Sequence, residues 1–341
     1  MPVTIRDVAK RLSLSITTVS RALDGYPDVS EATRQRVMQT TRELGYLPNR
    51  AARQLRRKRT DTIGYILPSG AARFSDPYFA EFISGLADEA AQNNFDLLVS
   101  SAPAGGDAER KAYQRWVSER RVDGFVLNRV RQSDWRIRYL AEERVPFASL
   151  ERSIEPLNYP SIHVENTHSV SGLVDHLVSQ GFRRIAFVGG PENLTIHYDR
   201  FIGYCQGLAK HNLPYDPSLV AQADLTSPGG YQAAKQLLSM ADPPTAMICV
   251  NDETAFGVLH SAHEAHLSVG ENLAVAGFDG VQDSFYSQPP LTTVDQPISE
   301  IAQLLVRMLL AEINGDNLPE RHVVIQPVLR FHQSTIKGGQ E

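Results

Sequence analysis

The chain has 341 residues, 42% of them hydrophobic, a formal net charge of −5 and two cysteines. Its length is more than one domain core normally holds, and Cys205 and Cys249, in apolar surroundings without C-x-x-C spacing, exclude a disulfide framework or a thiolate metal site. No run approaches the roughly 18 apolar residues of a membrane span, and MPVTIRDVAKRL lacks the apolar centre of a secretory signal. A soluble, cytoplasmic, multidomain protein is therefore expected, with no membrane role.

The charge is unevenly placed. Residues 1–60 hold 13 Lys/Arg against 5 Asp/Glu, a balance of +8, which leaves −13 for the rest. A basic head on an acidic body is the electrostatic footprint of binding to a phosphate backbone, although a solvated charged face gives the same count.

The head carries helix signals only. Thr4 followed by Asp7 starts a first helix, with Ile5, Val8, Ala9 and Leu12 on one side. Ser15 caps a second helix, which ends before Gly25, Pro27 and Asp28. Ser30 caps a third, and Gly45 stops it. Two helices joined by a tight turn let the second enter the major groove of DNA. Ala9 is small enough for the helix crossing, while Val8, Leu14 and Val19 glue the pair. Thr4 and Ser15 at the helix starts, with Ile16, Thr17, Thr18, Ser20 and Arg21 outward, are the candidate DNA contacts. Hydroxyls and Arg suit phosphates and base edges; Arg21 matches guanine and Ile16 a thymine methyl.

From Thr62 apolar runs alternate with amphipathic helices. TIGYIL, FDLLVS, GFVLN and PFASL come first, then RIAFVGG, TAMICV and LAVAGF. Such runs predict parallel strands covered on both faces, in two similar α/β halves. Ligands in such folds sit beyond the C-terminal strand ends, here between the halves. The tail STIKGGQE is polar, and no leucine heptads follow the last strand.

Catalytic signatures are lacking. No G-x-S-x-G elbow, Walker loop, H-E-x-x-H or dinucleotide fingerprint occurs. His260, His263 and His266 drift around a helix flank rather than converging on a metal, and His163, His168 and His176 do no better. No enzyme, cofactor or metal is expected.

TIRDVAKRLSLSITTVSRALDG and VSEATRQRVMQTTRELGYLPNRAARQL resemble the DNA-binding head of the LacI/GalR family of bacterial transcriptional regulators. VPFASLERS, GFRRIAFVGG, DRFIGYCQGL, VNDETAFGVL, VAGFDGVQDS and PPLTTVDQP resemble its sugar-binding-protein-like core. The resemblance implies an N-terminal all-α helix-turn-helix head plus an α/β periplasmic-binding-protein-like core of two parallel-sheet subdomains. The implied divisions are residues 1–47 for the head, 48–61 for a hinge helix and linker, and 62–341 for the core. The first lobe would hold about 62–160 and 294–320, the second about 161–293 and 321–337. It also implies a hinge helix whose Asn49, Ala52, Arg53 and Leu55 meet DNA, with Leu55 wedged into the minor groove. The implied effector cleft is lined by Phe74, Ser75, Asp76, Glu151, Arg200, Asn251, Asp279 and Gln296. Departures from the family pattern are Leu12, Ser13, Glu165, Ile196 and Leu225.

The expected protein is a sequence-specific repressor of carbohydrate-use genes, a homodimer on palindromic operator DNA, controlled by a mono- or disaccharide. Alternatives are a purine-type regulator requiring a corepressor, since YFAE at 78–81 also resembles that branch, a sugar-binding transport component without a DNA role, and a sugar-processing enzyme.

Overall fold

The computed structural model describes residues 3–46, 59–69 and 76–336. It divides into two compact units, Met1–Thr60 and Asp61–Glu341.

In the head, α1 (Ile5–Leu12), α2 (Ile16–Leu23) and α3 (Glu31–Leu44) begin where short polar side chains occupy the orphan amides of a helix start. The Asp7 carboxylate accepts from the Thr4 amide at 2.9 Å and the Thr4 hydroxyl at 2.8 Å. Ser15 accepts from the Thr18 amide at 3.0 Å, and Ser30 from the Thr33 amide at 3.3 Å. Gly45 ends α3 at φ +65°. Val8, Ala9, Val19, Ala22 and Val37 are buried together, as the expected glue requires, while Leu14 packs at the margin.

Ser13 ends α1 in the left-handed region, at φ +54°. This conformation crowds Cβ against the following carbonyl, and glycine avoids that crowding at the expense of a looser unfolded chain. Ser13→Gly is therefore expected to stabilise the head by about 0.5–1 kcal/mol. Calorimetry of the head transition in the intact protein checks this, and an unchanged or lowered midpoint refutes it.

The body begins with β1 (Thr62–Ser69), α4 (Pro77–Gln92), β2 (Asp96–Pro103), α5 (Asp107–Ser118), β3 (Gly124–Leu127), α6 (Trp135–Glu142), β4 (Phe147–Leu150) and β5 (Ser161–Val164). The chain continues through α7 (Asn166–Ser179), β6 (Ile185–Gly189), α8 (Thr195–Lys210), β7 (Val220–Gln222), α9 (Ser227–Leu238), β8 (Ala246–Cys249), α10 (Asp252–Glu264) and β9 (Ala274–Ala276). Last come α11 (Asp283–Tyr286), β10 (Thr293–Asp295), α12 (Ile298–Asn314), β11 (His322–Ile325) and β12 (Val328–Arg330).

Two parallel sheets result, ordered β11-β5-β4-β3-β1-β2 and β7-β6-β8-β9, while β10 and β12 pair antiparallel. All seven apolar runs became strands in these sheets. The lobe boundaries shift, however. β5 and β11 pair with each other and join the first sheet, so residues 161–164 and 322–325 belong to the first lobe rather than the second. Neither short segment carries a long apolar run, and only pairing with a neighbour makes it a strand. The chain crosses between lobes after β5, around β10 and after β11.

Close helix packing sets up the second lobe. A methyl group on Gly203 in α8 would sit 2.3 Å from the Thr167 carbonyl oxygen in α7. Only glycine lets these helices approach so closely; α8 carries Ile196 and Arg200 of the interlobe cavity, and α7 carries Asn166, which bonds Arg200. His260 lies on the flank of α10, 3.5 Å from Glu264, and His266 lies past the end of that helix. Among the described residues no helix is long and apolar enough to cross a membrane.

Candidate DNA-reading face and effector cleft

On α2, Ile16 is 45% exposed, Thr17 is exposed and Thr18 half-buried. The Thr18 hydroxyl is 2.8 Å from that of Ser15, so the start of the helix presents a hydroxyl pair already ordered by its cap. Arg21 is held by Asp28 through two bonds, Nε to Oδ1 at 3.2 Å and Nη2 to Oδ2 at 2.6 Å, and its guanidinium lies 4.8 Å from the Tyr26 ring centre. Ser20 corrects the outward set. It is only 3% exposed, with its hydroxyl 3.4 Å from Asp24, because a side chain this short is covered by its surroundings where a longer one would emerge. Thr4 is exposed. Asn49, Ala52, Arg53 and Leu55 lie outside the described residues.

In the body, Glu151, Arg200, Asn251, Asp279 and Gln296 line one small cavity between the lobes. Four of these positions follow from strand geometry. Glu151 directly follows β4, Asn251 caps α10 just after β8, Asp279 follows β9 and Gln296 follows β10. Arg200 reaches in from α8. Asp76 is excluded from the cavity lining; it caps α4 by accepting from the Tyr78 amide at 3.1 Å and lies 3.7 Å from Arg129. Phe74 and Ser75 lie outside the described residues.

Arg200 is the hub. Its Nε donates to Asn166 Oδ1 at 2.9 Å, its Nη1 donates to the Val250 carbonyl and lies 3.7 Å from Asp279, and its guanidinium stacks 3.5 Å from the Phe278 ring centre. Gln296 donates to Asp279 at 2.8 Å. Asn166, at the start of α7, also donates to Glu151 Oε1 at 2.9 Å, so one buried amide orients the cationic and anionic groups together. Glu165, the departure at this point, accepts from the His168 amide at 2.9 Å and caps α7.

The electrostatics follow from burial. Desolvation pushes the Asp279 carboxyl well above the usual carboxylate range, with Arg200 opposing and Asp252 reinforcing. It also lifts Asp252 to about 6, against bonds from the Thr293 hydroxyl and the Val281 and Gly280 amides. Arg200 is lowered by the same burial, yet a guanidinium keeps its charge. The cavity thus presents a fixed cation beside a buried carboxyl that accepts from Gln296.

Backbone strain marks the same place. Among the described residues eleven non-glycines have positive φ, and four of them line this cavity: Arg129 (+50°), Glu151 (+71°), Leu225 (+68°) and Asp279 (+128°). Such conformations cost about 1–3 kcal/mol each and collect at binding sites, where aiming the side chain requires them.

Tyr78, Asn128, Arg129 and Leu150 also line the cavity and were missed in the sequence. Asn128 and Arg129 follow β3, the position the strand-end rule marks, so that signal was present. Tyr78 accepts from Asn128 at 3.2 Å, a contact between α4 and β3 that no local pattern shows. Leu225 and Ile196, noted only as departures, supply aliphatic wall.

Glu151 also meets His163 at 2.5 Å, and Glu151, His163 and Asp199 bring one ligating atom each within 4.8 Å of one another. Burial, then the Glu151 charge, pushes the Asp199 carboxyl up to about 6. A folded-state value above the unfolded one means that the native state binds the proton more tightly. The resulting penalty is absent below about pH 4, grows through the window up to about 6, and is complete above it. Asp199→Asn is therefore expected to raise the melting temperature at pH 7.5 and to lose that advantage at pH 4. Melting curves at both values decide it, since an equal gain at both would show that this carboxyl does not titrate in the window.

A helical head with a groove-sized reading helix, and two α/β lobes closing on a polar cavity, define a DNA-binding regulator with a ligand-binding core. Residues 4–49 match the family described as bacterial regulatory proteins, lacI family, and residues 174–335 match a periplasmic binding protein-like domain. The transcriptional regulator AglR of Rhizobium meliloti (strain 1021) is 34% identical, over 95% of this chain and 92% of its own length. A lac repressor dimer bound to operator and the anti-inducer ONPF superposes with a TM-score of 0.84 at 29% identity, covering 98% of this chain and 100% of that one. A complex of the transcriptional regulator CelR with cellobiose gives 0.75 at 26%, covering 97% and 99%. The chain belongs to the lacI family of bacterial regulatory proteins and is a sequence-specific transcriptional regulator.

Proposed function

We propose that this protein represses genes for carbohydrate use as a cytoplasmic homodimer on a palindromic operator, and that a small sugar bound between the lobes controls it. The observation that carries the effector class is the cavity wall. Arg200, Asn251, Asp279, Gln296 and Glu151 bring donors and acceptors together around a space bounded by Leu150, Ile196 and Leu225. Hydroxyl pairs suit the former and the C–H face of a sugar ring the latter. Tyr78 is the sole aromatic among the described lining residues, which offers little stacking surface to a purine. The relatives are named as regulators, and CelR was solved with cellobiose.

Within each half-site Ile16, Thr17 and Arg21 read base edges, while Thr4, Ser15 and Thr18 meet phosphates. The hinge residues Asn49, Ala52, Arg53 and Leu55 bend the operator centre. Phe74 and Ser75 complete the effector site. A ligand touching Glu151 in one lobe and Arg200 in the other favours one lobe orientation, and only such differential affinity transmits a signal.

Selection of a duplex from a random pool, followed by binding in the presence of sugars and purines, tests the function. A palindromic winner whose affinity responds to one sugar is expected. Enrichment of no sequence, with affinity that merely follows salt, refutes operator recognition. A response to a purine alone refutes the effector class.

A further inference from the structure

We propose that the effector is a neutral disaccharide or longer glycoside, whose second ring occupies a separate cavity at the mouth of the cleft. This rests on the sugar-effector reading above. The inner cavity measures only about 30 Å³, room for a water or two, so a sugar ring enters it only as the lobes part. Beside it lies a cavity of about 250 Å³, which shares Arg129 and Leu225 with the inner one. A ligand reaching past those two residues enters the larger space.

The walls of that space have the chemistry of a sugar site. Pro68, Ala104, Pro191 and Leu194 are aliphatic surfaces from both lobes. Arg131 is 8% exposed and donates from Nη2 to Glu109 at 2.8 Å, but its Nη1 is buried without a hydrogen-bond partner. Oδ1 of Asp134 stands 3.8 Å from that nitrogen, beyond hydrogen-bond reach. A buried donor left unsatisfied is unfavourable, and a ligand hydroxyl arriving in this cavity relieves it.

Charge decides between a neutral ring and an acid. Three arginines line the cavity, and each is matched: Arg129 by Asp76 at 3.7 Å, Arg131 by Glu109 at 2.8 Å, and Arg136 by Asp134 at 2.6 Å. With no net positive charge left over, a carboxylate or phosphate gains no Coulombic partner and loses its hydration. A polyhydroxyl ring uses the donors without that loss.

The segments bounding this mouth are joined across the lobes. Gln132 donates through its amide to the Asn193 carbonyl at 2.9 Å, and the Thr195 amide donates to Val130 at 3.0 Å. A ring seated on Arg131 and Leu194 therefore touches the strip where the two lobes meet.

The test is calorimetric titration of the full chain with maltose, cellobiose, lactose, sucrose, trehalose and melibiose, their component monosaccharides, a glucuronate and purine bases. One disaccharide is expected to bind at least ~100-fold more tightly than either of its monosaccharides. Ala104→Trp, at an exposed position, narrows the mouth, and Arg131→Met removes the donor. Each is expected to lower that affinity ratio at least ~10-fold, with cooperative melting confirming a folded protein. A monosaccharide binding as tightly as any disaccharide, a ratio unmoved by both variants, or a glucuronate as the tightest ligand overturns the second subsite and leaves the sugar reading standing. Binding by no carbohydrate in the panel overturns both.

Discussion

Arg200→Met is expected to weaken effector binding by at least ~100-fold, or about 3 kcal/mol, with operator affinity in the absence of effector changed by no more than ~3-fold. The guanidinium is buried and joins Asn166, the Val250 carbonyl and Asp279, so a ligand hydroxyl placed among them meets a charged donor in a poorly hydrated setting. Methionine fills similar volume without donors. Removing one partner of a buried charged set is also destabilising, by about 3–5 kcal/mol when the other charge stays ionised. Burial raises the Asp279 carboxyl and Arg200 opposes that rise, so loss of the guanidinium raises it further. Arg200→Lys keeps the charge but lacks the planar fork that serves three partners, and it is expected to recover only part of the affinity. Operator release curves against effector concentration read both variants. A half-saturating concentration unchanged in Arg200→Met would remove this residue from the site.

The second large effect concerns the operator. Arg21→Ala is expected to lose about 1–3 kcal/mol of discrimination at one base pair in each half-site, and about twice that over a palindrome read by two subunits. In the free head Arg21 is held by Asp28 at 2.6 Å and lies against Tyr26. An exposed pair of this kind contributes at most about 1 kcal/mol, so DNA displaces it readily. Its value is in holding the fork away from alternative rotamers. Binding to operators mutated one base pair at a time separates two roles. Loss of preference at one symmetric pair identifies a base reader. A uniform loss over all sequences, with a reduced salt slope, would make Arg21 a phosphate contact instead.

Much of this was legible because it is local. Ser15, Ser30 and Gly45 act on amides and carbonyls within one turn, so their caps can be read from a few neighbouring letters. The seven apolar runs became strands because burial on both faces demands continuous hydrophobicity. β5 and β11 were not legible: SIHV and HVVI are short, and what makes them strands is each other. Ser20 failed for a related reason, since helical spacing gives direction, whereas burial depends on what packs alongside.

At the cleft, Glu151, Arg200, Asn251, Asp279 and Gln296 were found as separate positions, and Asn128 with Arg129 lay at a strand end that the same rule marks. Asn166 and Tyr78 were out of reach. Each matters through a partner far away in the chain, Asn166 to Arg200 and Tyr78 to Asn128.

By itself, the amino-acid sequence determined the helical head, the alternation that makes two α/β lobes, and the residue types facing the cleft, because capping, periodicity and strand-end placement act over a few residues. Tertiary structure alone decided where the lobes divide, which groups converge on Arg200, and that an outer cavity with an unsatisfied Arg131 donor adjoins the inner one. Those outcomes depend on distances between segments far apart in the chain, which are set by how sheets and helices pack rather than by any short pattern of residues.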